Sequence, residues 1–96
     1  MLTVNKQALA EQDIIEIWKY SFSNWGEAQA DKCHDQLSRS IPLIAENPYI
    51  GMACDNVRKG YRKYRVNRHI IFYRVDKNTL QIIRVLGEKM DYSSRL

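Results

Sequence analysis

Few residues in this chain of 96 have the chemistry to hold a metal or attack a bond. The soft ligands are Cys33, His34, Cys54 and His69. Structural zinc sites take ligands in pairs a few residues apart, and these four match no such pattern. Cys33 falls on an apolar helical stripe and reads as core. Neither cysteine lies in a nucleophile motif, and there is no G-x-S-x-G elbow or phosphate loop; Gly51 and Gly60 read as turn glycines. No metal and no cofactor are expected. One bond-breaking chemistry does have its ingredients. Metal-free cleavage of an RNA phosphodiester needs a base, an acid and cations for the phosphorane charge. His69 offers an imidazole, Arg62, Arg65, Arg74 and Arg84 offer cations, and Tyr73 and Tyr92 offer hydroxyls. A lone histidine beside Arg68 at a strand start is more often a surface or hydrogen-bonding residue than a base, so geometry has to decide.

The net charge of +4 is unevenly spread. Residues 1–48 hold four basic and seven acidic groups, a net of −3; residues 49–96 hold eleven and four, a net of +7. Between Arg58 and Arg74 there are seven basic residues and no acidic one. Such a field attracts nucleic acid or an acidic protein segment. The plainer alternative is a strand surface whose Lys and Arg guard against edge pairing.

Length and an apolar fraction of 45% fit one globular domain spanning 1–96. No signal peptide is expected, and no apolar run approaches the ~20 residues of a membrane helix. With two cysteines and no disulfide pattern, a reduced, cytoplasmic protein is expected. Leu2 and Val4 alternate with polar residues, which predicts a strand over 2–5. Ala10, Ile14, Ile17, Trp18 and Ser21 recur at helical spacing, which predicts a helix over 7–24. A second helix is predicted over 27–46 from Ala30, Cys33, Leu37, Ile41 and Ile44. Pro42 cannot donate to the Ser38 carbonyl and predicts a kink or restart at Ser40–Pro42. After a loop over 49–60 the period becomes two, giving strands over 61–66, 69–75 and 80–86 and a polar tail over 88–96. The predicted class is α+β, ordered β-α-α-β-β-β: one antiparallel sheet with a helical hairpin packed on one face.

The middle strands are apolar on both sides. Ile71, Tyr73 and Val75 oppose Ile70 and Phe72; Leu80, Ile82 and Leu86 oppose Ile83 and Val85. Such runs belong to strands covered on both faces, and one hairpin covers one. The second face is expected to be covered by a partner peptide, in part by the tail, or by curling of the sheet with Tyr61, Tyr64 and Tyr73 filling the concave side.

Lys59-Gly60-Tyr61-Arg62, His69-Ile70-Ile71-Phe72-Tyr73-Arg74, Ile83-Arg84-Val85-Leu86 and Met90-Asp91 follow one another in an ordered set. They are preceded by Asp13-Ile14, Ile17-Trp18, Tyr20, Gln29-Ala30, Ala45-Glu46-Asn47-Pro48 and Gly51. Over nearly the whole chain this set resembles the ParE toxins of the ParE/RelE superfamily. The resemblance implies that superfamily's sheet and hairpin, and a ParD-like antitoxin whose C-terminal region wraps the toxin. It also implies DNA gyrase, or the gyrase–DNA complex, as target, and allows a homodimer within a toxin–antitoxin assembly. The RelE branch instead cuts mRNA on the ribosome. The tail 88–96 shows no clear counterpart of that branch's cleavage residues, and Gly87 stands where many relatives carry His. A toxin that only binds its antitoxin is the third reading. From their clustered charge, Arg58, Lys59, Arg62, Lys63, Arg65 and Arg68, with His69 beside them, are expected to form the antitoxin or target surface, with Met90, Tyr92 and Leu96 as candidate target contacts. Tyr73, Arg74, Arg84, Leu86 and Asp91 form the structural motif, with Arg74 and Arg84 tying sheet to tail through Asp91.

Overall fold

The structure, a computed structural model, describes residues 2–96. Strand β1 (Thr3–Lys6) leads into helices α1 (Ala8–Trp25) and α2 (Glu27–Glu46). Four strands follow: β2 (Met52–Ala53), β3 (Arg62–Val66), β4 (His69–Asp76) and β5 (Thr79–Gly87). A 3-10 turn over Tyr92–Ser94 closes the chain. The helices meet at Gly26, whose φ of 88° is one that a side chain would strain. Its N–H caps α1 at Phe22 and its carbonyl accepts from Ala30. One residue therefore ends the first helix and starts the second, which makes the hairpin tight.

Helix α2 runs through Pro42 without interruption, so the expected restart does not occur. Ile41, Ile44 and Ala45 bracket the proline and are all buried. Burying such side chains offsets one missing backbone hydrogen bond.

The fold is α+β with five strands in the order β1-β5-β4-β3-β2. The sheet is mixed, which corrects the all-antiparallel expectation: β1 lies parallel to β5, Thr3 opposite Thr79 and Lys6 opposite Ile82. Alternation reports which side chains face the core, not which way a neighbour runs. β2, inside the expected loop, pairs antiparallel with β3; two residues are too few to show a period.

A register shift between Phe72 and Tyr73 places Phe72 opposite Arg84 and Tyr73 opposite Ile82. Ile83 is thus an extra residue, and the facing of β5 reverses past it. Leu80, Ile82 and Val85 enter the helix-side core with Ile71, Tyr73, Leu37 and Ile44. Leu86 goes to the opposite face with Phe72 and Cys54. Strict alternation had grouped Leu86 with Leu80 and Ile82.

That second face is not left open. Phe72 is 0% exposed and Leu86 2%, because Tyr61, Ile70, Tyr92 and Leu96 pack over them. The tail folds back and is pinned by arginines. Arg58 donates to the Leu96 carbonyl at 2.7 and 3.0 Å, and Arg84 to the Arg95 carbonyl at 3.2 Å. The expected open sheet face is therefore covered by the chain itself at its centre, and the sheet alone makes no demand for a companion. Exposed apolar residues remain elsewhere, among them Tyr20, Trp25, Tyr49 and Met52. No described helix is long and apolar enough to cross a membrane.

Candidate partner-binding surface

The sheet divides the molecule electrically. The hairpin on one side belongs to the half with net charge −3. On β3, Lys63 pairs with Phe72 and Arg65 with Ile70, so both side chains share the tail face. Arg74 lies two residues beyond Phe72, on the same face, and is exposed.

The cations differ in what holds them. Arg58 reaches Leu96, and Arg62 donates to the Gly51 carbonyl at 2.7 and 3.1 Å while lying over the Tyr49 ring. Arg65 donates to the Asn67 carbonyl and pairs with Glu88. The Gly51 and Asn67 carbonyl oxygens orient a guanidinium without neutralising it, whereas Arg65 is also in an ion pair, with Glu88. Lys59 and Arg68 are exposed, and the Lys63 ammonium sits 5.3 Å from the Tyr92 ring centroid.

His69 sits apart from most of this set. It opens on the helix side, into a cleft of about 520 Å³ lined with Trp25, Cys33, Gln36 and Arg68. Burial pushes its imidazole below the ordinary value of 6.5, against a weaker upward pull from Glu88, and so favours the neutral form. Burial likewise pushes the Cys33 and Cys54 thiols up. Neither thiol is primed as a nucleophile. No group of three or more His, Cys, Asp or Glu that could hold a metal occurs among the described residues.

Of the tail residues, Met90 is exposed at 38%, and its sulfur accepts from the Gly87 N–H at 3.1 Å. Leu96 and Tyr92 cover the second core, Tyr92 with its centroid 5.1 Å from that of Phe72. Removing a half-buried ring from a small core is expected to cost about 2 kcal/mol. Tyr92→Ala should show this as a lower urea midpoint; an unchanged midpoint would mean the tail packs without contributing stability.

Arg84 does bridge sheet and tail, through the Arg95 carbonyl, but its carboxylate partner is Asp13 of α1. The pair is bidentate, 2.7 Å from Nε and 2.9 Å from Nη2. Asp13 Oδ2 also accepts from the Val85 N–H at 3.0 Å. β1 pairs only as far as Ile82, so Asp13 occupies the edge of β5 where β1 has stopped. Tyr73 is wholly buried; its hydroxyl donates to the Pro48 carbonyl at 2.7 Å and accepts from the Gly51 N–H at 3.0 Å. Sequence reasoning missed both arrangements. An aspartate beside the apolar stripe of α1 was the one available signal for the first.

Known proteins match this architecture and this sequence. The family model described as the ParE toxin of the type II toxin-antitoxin system, parDE, matches residues 4–92. Toxin ParE1 of Mycobacterium tuberculosis (strain ATCC 25618 / H37Rv) is 40% identical over 88 residues, covering 91% of this chain and 90% of its own. Toxin ParE1 of Caulobacter vibrioides is 39% identical over 87 residues, with the same coverage. The solved chromosomal ParDE toxin–antitoxin system from P. aeruginosa superposes with a TM-score of 0.80 at 17% identity, over 91% of this chain and 96% of that one. The DinJ–YafQ complex of E. coli gives 0.61 at 16%, over 91% and 93%. The two structural matches establish the shared fold, and the family model with the two ParE1 relatives establishes more: this chain belongs to the ParE toxin family of type II toxin–antitoxin systems.

Proposed function

We propose that the chain acts in the cytoplasm by stalling DNA gyrase, that a ParD-like antitoxin neutralises it, and that it cleaves no bond itself. The observation that carries this reading over RNA cleavage is how the candidate groups are distributed. General acid–base cleavage requires base, acid and cations within hydrogen-bond reach of one phosphate. His69 opens toward the hairpin, whereas Tyr92, Lys63 and Arg65 lie across the sheet. The Tyr73 hydroxyl is held by Pro48 and Gly51, and Arg84 by Asp13. These groups do not converge. Kinship with proteins named Toxin ParE1 supports the gyrase target that the resemblance implies. The P. aeruginosa ParDE system supports an antitoxin of the ParD type.

The test adds purified protein to gyrase supercoiling and cleavage reactions, and separately to a translating extract with an mRNA readout. Supercoiling should fall and cleaved plasmid should accumulate, with mRNA intact. Cuts in ribosome-bound mRNA would assign the chain to the interferase branch instead. Silence in both assays would leave a protein that only binds its antitoxin.

A further inference from the structure

We infer that the tail face of the sheet is a binding surface for the sugar–phosphate backbone of duplex DNA, engaged through Lys59, Lys63 and Arg74. This goes beyond the gyrase reading, and rests on it only for its consequence: the toxin would touch the DNA that gyrase holds, as well as the enzyme.

The first support is an unneutralised excess of charge on one face. Arg58, Lys59, Lys63, Arg65, Arg74 and Arg95 lie on or around it. The acids of this half are Asp55, Asp76, Glu88 and Asp91, and Glu88 with Arg65 forms a pair, so these six cations outnumber the four acids by two. With the hairpin half at −3 and the other at +7, the molecule is polarised so that this face leads toward a polyanion.

The second support is spacing. Lys63 opposes Phe72, and Arg74 follows Phe72 by two residues, so the two cations sit on a diagonal about 7–8 Å apart at their bases. Lys59 lies in the loop before β3, between Arg58, which reaches Leu96 of the tail, and Gly60, which Asp55 holds. Lys63 and Arg74 sit on strands β3 and β4 and Lys59 on the turn before β3.

The third support selects the class of nucleic acid. Single strands are held chiefly by bases stacking on open aromatic rings. The aromatics of this face are already used: Tyr92 lies against Phe72 with Lys63 over it, and Tyr61 packs into the second core. Two exposed cations, Lys59 and Arg74, with the half-buried Lys63 between sheet and tail and no open rings, suit phosphates, and a duplex presents these at the highest density.

The experiment is fluorescence anisotropy of a labelled 24-base-pair duplex titrated with the full chain, gyrase absent, from 50 to 200 mM salt. Three phosphate contacts predict a log–log salt slope of about −2.7, or roughly 40-fold weaker binding across that range. The triple substitution Lys59→Gln, Lys63→Gln, Arg74→Gln should bring the slope near zero, with an unchanged melting temperature showing that it folds. No duplex binding at 50 mM would overturn the inference. So would tighter binding to single-stranded DNA or RNA, equal binding to poly-glutamate, or an unaffected triple variant. Because gyrase is absent, the two readings fail separately: a chain that stalls gyrase but ignores naked duplex sinks this inference alone.

Discussion

Exchanging Arg84 for Ala is expected to lower the folding stability by about 3 kcal/mol, because it strands a carboxylate in the interior. Asp13 and Arg84 are only 14% and 16% exposed at their side chains. Asp13 accepts three hydrogen bonds, two from the guanidinium and one from Val85. Without Arg84 one backbone donor remains for a charge that little water can reach. Asp13→Ala should cost about as much, since it leaves the guanidinium short of its partner and opens the β5 edge at Val85. In a domain this size either change should lower the melting temperature by about 15 °C. The double change Asp13→Leu with Arg84→Met should recover much of the loss, because apolar side chains of similar volume avoid the desolvation cost. A double-mutant cycle in urea measures the coupling. Single variants that melt with the parent would show the pair to be ornamental.

The second large effect centres on Gly51, which sits at a close approach of backbone to side chain. A Cβ built there falls 2.7 Å from the Lys63 carbonyl and runs into the Tyr73 hydroxyl. The first neighbour is strand backbone and the second a fully buried ring, so neither yields cheaply. Gly51→Ala should therefore cost about 3 kcal/mol. It would also disturb the Arg62 fork, which closes on the Gly51 carbonyl. Tyr73→Phe probes the same node from the other side: the Pro48 carbonyl and Gly51 N–H lose their partner, a loss of about 2 kcal/mol. The phenol adds a pH signature. Burial pushes the Tyr73 phenol above its ordinary value of 10.0, a shift partly offset by its Gly51 and Arg62 contacts. The folded state holds this proton more tightly than the unfolded chain does, so the stability it contributes is complete below pH 10 and is lost as pH rises through the raised folded value. Tyr73→Phe should flatten that alkaline decline. A parent-like melting temperature for Gly51→Ala would show that the contact relaxes at little cost.

Features written in local periodicity were readable from the chain. The helical stripes of Ala10–Ser21 and Ala30–Ile44, and the alternation in β3 and β4, gave the elements to within a residue or two at most ends, because burial repeats at a fixed spacing. Relations across long separations were not readable. β1 and β5 are far apart in sequence and nothing in either fixes their relative direction. The extra residue Ile83 broke the alternation on which the facing of Leu86 had been inferred. The tail looked polar, yet two of its residues, Tyr92 and Leu96, do the covering work, and both had been set aside for target contact. Of the surface, the cluster of cations was plain in the sequence, but which of them spend their donors on the fold was not. Arg58 and Arg62 turn to backbone oxygens of Leu96 and Gly51 that the folded chain brings near, and Arg65 pairs with Glu88.

The parallel pairing of Thr3 with Thr79 also has a meaning in time. The two partners are separated by some 76 residues, which at roughly 5–20 residues per second take about 4–15 s to synthesise. Once α2 is complete at Glu46, the helical hairpin waits for β4 and β5, the strands that shield its apolar side. The first strand can dock only when the last has been made, so synthesis halted before β5 yields an incomplete polypeptide and no folded toxin.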